Sequence, residues 1–471
     1  MDFVMYGAAL LAVLVVIYLL IKKMDIKISL FLIGIVLMYI AIAMGKGIAV
    51  KGFESTGAVW LDPLLAIADQ FKSTLSSAGF IILILGGYSA YMTSIGANDV
   101  TVGVLTKPIK GIRSVYILVP VVFLLGNLLS LVIPSASNLA IILLATLLPV
   151  LRSANMSPLT AAGVIATTAT VMPTPLGSDN VAIAEELAKT TQFAGLTPTD
   201  YVFRYHAIVS IPTLLVMALV HYFWQKYMDK KAGILSHTDD IEVEKAKIIS
   251  GGALFKTVYA ILPLLPIILL IITFALKSVI KINISVEVAT LFSFAVAIIC
   301  ELFRKKSAKA ALDSTEGFFK GMGGAMPIVA LLVAASVFVT GLKSIGLIDA
   351  LQSAMTGIQG GSLGFVLPLI LIALTALIVL LSGSGTALFF AMVPLMVPLA
   401  AAAGINVLAV SIPMGLAGNL LRAVSPVSAV IMIVAGSVKK SPIDIVKRTS
   451  VPMIAGTVFM FVLSMIVFLP M

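Results

Sequence analysis

Apolar residues run along this chain in blocks of about 17 or more, each long enough to cross about 30 Å of hydrocarbon as a helix. They predict full spans at 4–21, 28–45, 76–94, 158–194, 205–224, 257–276, 286–303, 321–341, 405–437 and 451–469, with 158–194 and 405–437 interrupted. Two further apolar pairs, 115–152 and 363–403, fold back on themselves. The first block, "FVMYGAALLAVLVVIYLLIKK", has no basic residues ahead of it and no small-residue cleavage site. It is expected to remain as a span with its N-terminus outside.

Composition agrees with the pattern. Of 471 residues, 60% are hydrophobic and 11% charged, and the mean hydropathy is +1.16. A water-soluble chain needs far more charge to cover its surface, so the fold class is an all-α polytopic membrane protein. The formal charge of +10 then belongs to residues flanking the membrane, not to a nucleic-acid surface. Turns after odd-numbered spans carry 22 of the 31 Lys and Arg residues, from Lys22 and Lys23 to Lys447 and Arg448. The opposite turns carry eight, at Lys46, Lys51, Lys72, Lys189, Arg204, Lys277, Lys281 and Lys343, and Arg422 belongs to neither set. This bias predicts the richer face to be cytoplasmic and both termini to be periplasmic or extracellular. Cys300 is the single cysteine, and His206, His221 and His237 have no ligand spacing, so neither a disulfide nor a thiolate metal site is predicted.

The one long polar stretch, 225–256, reads as a cytoplasmic linker between two halves, 1–224 and 257–471. "TSIGAND" (93–99) returns as "KSIGLID" (343–349), and "PSASNLAII" (134–142) is answered in type by "SGSGTALFF" (382–390). "NMSPLTAAG" (155–163) is answered by "GINVLAVSI" (404–412). Each half holds five spans and one folded-back pair. Because five is odd, the second half enters from the opposite side, which predicts an inverted-topology repeat of the kind common in secondary transporters.

The folded-back pairs carry unusual chemistry. No Asp, Glu, Lys, Arg or His occurs from 350 to 421, and 114–151 is equally uncharged. Near the middle of these stretches stand "SGSGT" (382–386) and "PSASN" (134–138). One reading is a tight turn between two complete spans. The other is a re-entrant hairpin whose tip stops at membrane depth, where irregular backbone survives only in protein or beside a cavity. Gly383 and Gly385 would then admit a ligand close to backbone, and Ser384 and Thr386 would offer hydroxyls. The helix beginning near 386 would aim its positive end at an anion.

The interrupted spans fit the second reading. Ser157-Pro158 is an N-cap followed by proline at the first helical position, and about 14 helical residues are expected before Pro173 and Pro175 stop them. In the other half the break is expected around Arg422–Pro426. Arg422 and Asp179 thus lie in the two breaks, where a charge costs on the order of 3 kcal/mol and is normally functional. Arg422 offers a fork that fits a carboxylate. Asp179 could bind a cation, carry a proton or pair with Arg422. Glu185 and Glu186 read as solvated surface, while Asn138, Asn180, Asn419, Ser425 and Ser428 are either donors to a ligand or satisfiers of broken helices.

"AYMTSIGAND" (90–99), "HYFWQKYMDKK" (221–231), "SGSGTALFF" (382–390), "NLLRAVSPVSAV" (419–430) and "SPIDIVKRTSVP" (441–452) together resemble the anaerobic C4-dicarboxylate carriers of the DcuC family, in the ion transporter superfamily. The resemblance runs nearly end to end. It implies about ten transmembrane helices, two re-entrant hairpins and two broken helices in a homodimer. It also implies elevator-type movement of succinate, fumarate or malate across a bacterial inner membrane, by ion-coupled symport, efflux or exchange. Two departures stand in the first half: Ser135-Ala136-Ser137-Asn138 replaces the family's Ser-Ala-Thr-Gly, and "PTPLGSD" is longer than its usual break.

The candidate substrate-binding set is therefore Ser135, Ser137, Asn138, Thr174, Ser178, Ser382, Gly383, Ser384, Gly385, Thr386, Asn419, Arg422, Ser425 and Ser428. Asp179 and Asn180 are the candidates for the coupling ion, proton or sodium, with a possible sodium position near Asn138 and Asp179. No cofactor and no catalytic residue is expected. A carrier of the same fold for an amino acid or tricarboxylate, and an anion channel, remain alternatives. An intramembrane hydrolase is another; "SGSGT" is similar to a serine-nucleophile turn, but neither hairpin nor broken helix contains a histidine.

Overall fold

The computed structural model describes residues 2–22, 24–50, 52–112, 114–233, 252–280, 282–350 and 364–469. Most of the predicted 225–256 linker, and position 363 at the start of the second folded-back pair, lie outside the described residues. Among the described residues the chain is helical without strands. Seven helices are long and apolar enough to span a membrane by length and composition.

The first half comprises α1 (Asp2–Ile21), α2 (Ile26–Ala43), α3 (Asp62–Ser94) and α4 (Ala97–Leu105). A hairpin follows, made of α5 (Val115–Ser130) and α6 (Ala136–Thr146) and continued by α7 (Leu148–Ser153). An interrupted span, α8 (Pro158–Ala166) and α9 (Ser178–Ala188), leads to α10 (Pro198–Lys231). The second half comprises α11 (Ala253–Ala275), α12 (Val286–Lys305) and α13 (Glu316–Ser344). Its hairpin is α14 (Val366–Ser382) and α15 (Thr386–Ala402), its interrupted span α16 (Leu408–Arg422) and α17 (Ala429–Ser437), and α18 (Pro442–Phe468) ends it.

Local chemistry explains the breaks. Ser157 accepts a hydrogen bond from the Thr160 amide and Pro158 opens the helix, as its sequence predicts. However, α8 stops at Ala166 after nine residues, about 14 Å at 1.5 Å per residue, rather than running on to the prolines. The reason lies on α5. The Asn127 amide donates to Phe123 O and Thr167 O, while its Oδ1 accepts from the Thr170 and Val171 amides at 3.1 and 3.2 Å. The backbone freed by ending the helix early is thus satisfied from the neighbouring hairpin, as burial at this depth requires. On the far side of the break, Asn180 donates to Met172 O and Thr174 O.

Two features repeat between the halves. Gly96, after α3, and Gly346, after α13, both adopt left-handed backbone, with φ of 77° and 88°; each lets the chain leave a long helix where a side chain would strain it. The packing is also reciprocal. The second limb of the first hairpin, α6, lies against α17, and the second limb of the other hairpin, α15, lies against α9. Each hairpin therefore braces the broken helix of the opposite half. A bundle of α2, α3 and α13 stands beside these elements, touching them through α13 on α15 and α3 on α9.

Arg448 requires a correction. It counts in the sequence as a cytoplasmic surface charge, but it is 1% exposed and forms an ion pair with Asp229 at 2.7 Å. Ser157 and Thr160 at the start of α8 also donate to that carboxylate, and Gln225 donates to Arg448 O. The network pins together α8, α10 and α18, so the charge is retained inside by its partners.

Candidate functional site

Both hairpin tips and both breaks border one cavity of about 340 Å³. Ser135, Ala136 and Ser137 come from the first tip, Gly383 to Thr386 from the second, Gly177 to Asp179 from the first break, and Asn419, Arg422, Ala429 and Val430 from the second. Phe389, Phe390 and Ile328 supply apolar wall.

Four helices, α6, α9, α15 and α17, begin at this cavity. Each presents unsatisfied amides and about half a positive charge at its first turn. Ser135 and Ser428 cap α6 and α17, accepting from the Asn138 and Ile431 amides. The starts of α9, after Gly177, and α15, after Gly385, have no side chain on the capping residue. The Asn180 amide is taken by Asp179 Oδ1 and the Thr386 amide by Ser384 Oγ, so the remaining first-turn amides are the ones open to an anion. Two glycines make the second tip fit. A Cβ on Gly383, whose φ is +78°, would stand 2.6 Å from Val427 O; one on Gly385 would stand 2.7 Å from Gly418 Cα. The tip thereby seats directly on the second break.

The charged lining residues are Arg422 and Asp179. They are joined through an amide: Asn419 Nδ2 donates to Asp179 Oδ2 at 3.0 Å, and Arg422 donates to Asn419 Oδ1 at 3.4 Å. The other arm of the guanidinium donates to Ala169 O at 2.5 Å, tying the second break to the first. Asp179 Oδ1 accepts from the Asn180 amide. Arginine is thus held by only weak or neutral acceptors, and its charge remains available to a carboxylate in the cavity.

Of the residues singled out in the sequence, Ser135, Ser137, Ser178, Asp179, Gly383, Ser384, Gly385, Thr386, Asn419 and Arg422 line the cavity. Others do not, and most of these satisfy backbone. Thr174 Oγ1 accepts from the Leu176 amide, Ser382 donates to Ile378 O, and Ser425 donates to Leu380 O. Asn180 bridges the break as described, Ser428 caps α17, and the Asn138 side chain is exposed. Asn138 and Asp179 are therefore not brought together around this cavity. Two functional supports went unread in the sequence. Asn127 has no local signal, being a single amide in an apolar helix. The Arg448 network has one: His221, Gln225 and Asp229 recur at intervals of four, a polar stripe down one face of α10.

Paired hairpins and broken helices that close helix N-termini on a polar cavity define a secondary transporter rather than an enzyme. Residues 7–469 match the C4-dicarboxylate anaerobic carrier family, DcuC, and the chain belongs to it. The anaerobic C4-dicarboxylate transporter DcuC of Escherichia coli K12 is 36% identical over 436 residues, 92% of this chain and 90% of that one. A probable anaerobic C4-dicarboxylate transporter DcuC of Vibrio cholerae is 35% identical, covering 92% and 91%. Among solved structures, the Alcanivorax borkumensis YdaH transporter superposes with a TM-score of 0.67 at 15% identity, covering 93% of this chain and 98% of that one. Neisseria gonorrhoeae MtrF, from a class of antimetabolite efflux pumps, gives 0.58 at 15% identity, covering 94% and 95%. These two likenesses concern the fold.

Proposed function

We propose that the protein carries four-carbon dicarboxylates such as succinate, fumarate and malate across the bacterial inner membrane. The observation that carries this reading is the convergence of four helix N-termini and Arg422 on one cavity. Its volume lies at the small end of ordinary ligand sites. Arg422 would take one carboxylate in its fork, and the uncapped amides of α9 and α15, with the Ser384 and Thr386 hydroxyls, would take the other. Phe389 and Phe390 would face the carbon chain. The identity of the E. coli and V. cholerae relatives supports the same substrate class.

Transport is proposed to be coupled to a proton at Asp179. Asp179 is the carboxylate that lines the cavity, and the sodium position considered near Asn138 lacks that side chain there. Elevator movement is the proposed mechanism, with the hairpins, broken helices, α10 and α18 moving against the α2–α3–α13 bundle. The two groups meet through α13 on α15 and α3 on α9, the seam along which the proposed movement would occur. A homodimer follows from the family resemblance, and periplasmic termini follow from the 22-to-8 charge bias.

Labelled-succinate counterflow in proteoliposomes tests the substrate class. Vesicles loaded with succinate, fumarate or malate are expected to accelerate uptake, and vesicles loaded with citrate or an amino acid are not. Acceleration by citrate or amino acids alone would overturn the assignment and leave only the fold.

A further inference from the structure

Beside the cavity lies a second polar group that the substrate site does not use. Tyr201, Ser411, His206 and Ser210 are between 0% and 2% exposed, yet the Tyr201, Ser411 and Ser210 hydroxyls and His206 Nδ1 have no hydrogen-bond partner. Buried polar groups are nearly always paired, with ordered water serving where protein does not. Four unpartnered groups in one region of a well-packed protein mark a place for water.

Backbone geometry gathers them. The first turns of α10 contain a π-helical stretch, Val202–His206, in which the Ala207 amide bonds to Val202 O five residues back. That wider turn brings positions 201 and 206 onto one face, and the α-helical turn that follows adds 210. The Tyr201 and His206 rings accordingly stand 6.0 Å apart. From α16, the Ser411 hydroxyl faces that of Tyr201 without closing a hydrogen bond. Tyr201 is also within electrostatic reach of Asp179, on α9, which packs against both the start of α10 and α16. The groups therefore start at Tyr201, close to the Pro198 end of α10 and to Asp179, with His206 and Ser210 behind it further along the helix. The charged groups on the elements around them are Asp200, paired with Arg204 and Lys277, Glu186, paired with Lys189, Glu185 and Asp179 on α9, and Arg422 on α16. The chemistry suits protons better than a metal ion, since no carboxylate joins the four groups and no cluster of three metal-ligating side chains occurs among the described residues.

We propose that Tyr201 and Ser411, with water held behind them by His206 and Ser210, conduct protons between the Pro198 face and Asp179. This rests on the reading of the chain as a dicarboxylate carrier coupled at Asp179. Each hydroxyl, water or imidazole accepts a proton on a lone pair and releases one of its own to the next. The net change is one proton lost from bulk water and one gained by the Asp179 carboxylate, which becomes a neutral carboxyl.

Tyr201→Phe and Ser411→Ala test this, each removing one hydroxyl with little change of shape. The purified variants are reconstituted, and three quantities are read: succinate–succinate counterflow at equal pH, net succinate uptake under a pH gradient, and proton entry reported by an entrapped dye. Counterflow needs no net proton delivery and is expected to persist. Gradient-driven uptake and the dye signal are expected to fall on the order of a hundredfold, the scale of losing one positioned proton-transfer group. Equal losses in all three would overturn the relay in favour of a packing role, and unchanged gradient-driven uptake in both variants would overturn it outright. So would wild-type uptake that follows a sodium gradient and ignores pH. A wild type that exchanges no diacid would instead overturn the carrier reading.

Discussion

Replacing Arg422 with lysine preserves the charge and removes the fork. In the structure one arm of the guanidinium reaches Ala169 O at 2.5 Å and the other reaches Asn419 Oδ1 at 3.4 Å, with the group still bordering the cavity. A lysine ammonium is a single point that can satisfy the Ala169 carbonyl or a ligand carboxylate, but not both with good geometry. The lost interaction with substrate is one charge-assisted hydrogen bond, about 1.5–3 kcal/mol. At 1.4 kcal/mol per factor of ten, half-saturation in counterflow should rise about 10- to 150-fold. The thermal midpoint of the substrate-free protein reads the Ala169 tie separately and should fall only slightly, because a neutral-acceptor bond contributes about 1 kcal/mol. The assay is the succinate concentration dependence of counterflow, with unfolding of the same preparation followed in parallel. Half-saturation within about threefold of wild type, at unchanged maximal rate, would remove Arg422 from the substrate site.

Asp179→Asn is expected to retain counterflow and to lose acceleration by a pH gradient, measured with the same vesicles; a retained pH response would assign the carboxylate to structure. Arg448→Met leaves Asp229 buried without its counter-ion and should lower stability by about 3–5 kcal/mol in a denaturation assay. Adding Asp229→Leu should recover most of that loss, because the uncompensated charge is gone. Gly383→Ala combines a left-handed backbone cost of about 1–2 kcal/mol with a Cβ 2.6 Å from Val427 O. The protein should still fold with its second tip displaced, and transport should be lost while the thermal midpoint falls by only a few degrees.

The sequence exposes what is periodic or costly. Long apolar runs predict the helices, and the charge-free stretches around "SGSGT" and "PSASN" mark the hairpins because nothing else explains small polar residues there. Arg422 and Asp179 stand out because charge at membrane depth is expensive. Lengths were less legible. The apolar runs give only the hydrocarbon-facing part of α3, α10, α13 and α18, whose polar ends continue the helix beyond it. The early end of α8 depends on Asn127, an amide 40 residues from the Thr167 carbonyl it serves. Roles were harder still: Ser425, Ser428 and Asn180 are the same residue types as the lining groups, and only the fold decides which backbone atoms each satisfies.

The crossed bracing of the hairpins has a consequence for how the protein is made. The first half leaves the ribosome with α6 and α9 already in place, while α17 and α15, their partners, lie more than two hundred residues downstream. Until then the start of α9, uncapped, and the polar break before it have only half of their surroundings, in a solvent that satisfies no backbone group. The nascent first half is thus an unfinished object that must be sheltered by the insertion machinery or by water until its sequel arrives. Separately expressed halves should acquire a stable site only when they meet in the same membrane. Maturation of the intact chain should be limited by that late meeting rather than by insertion of the individual helices.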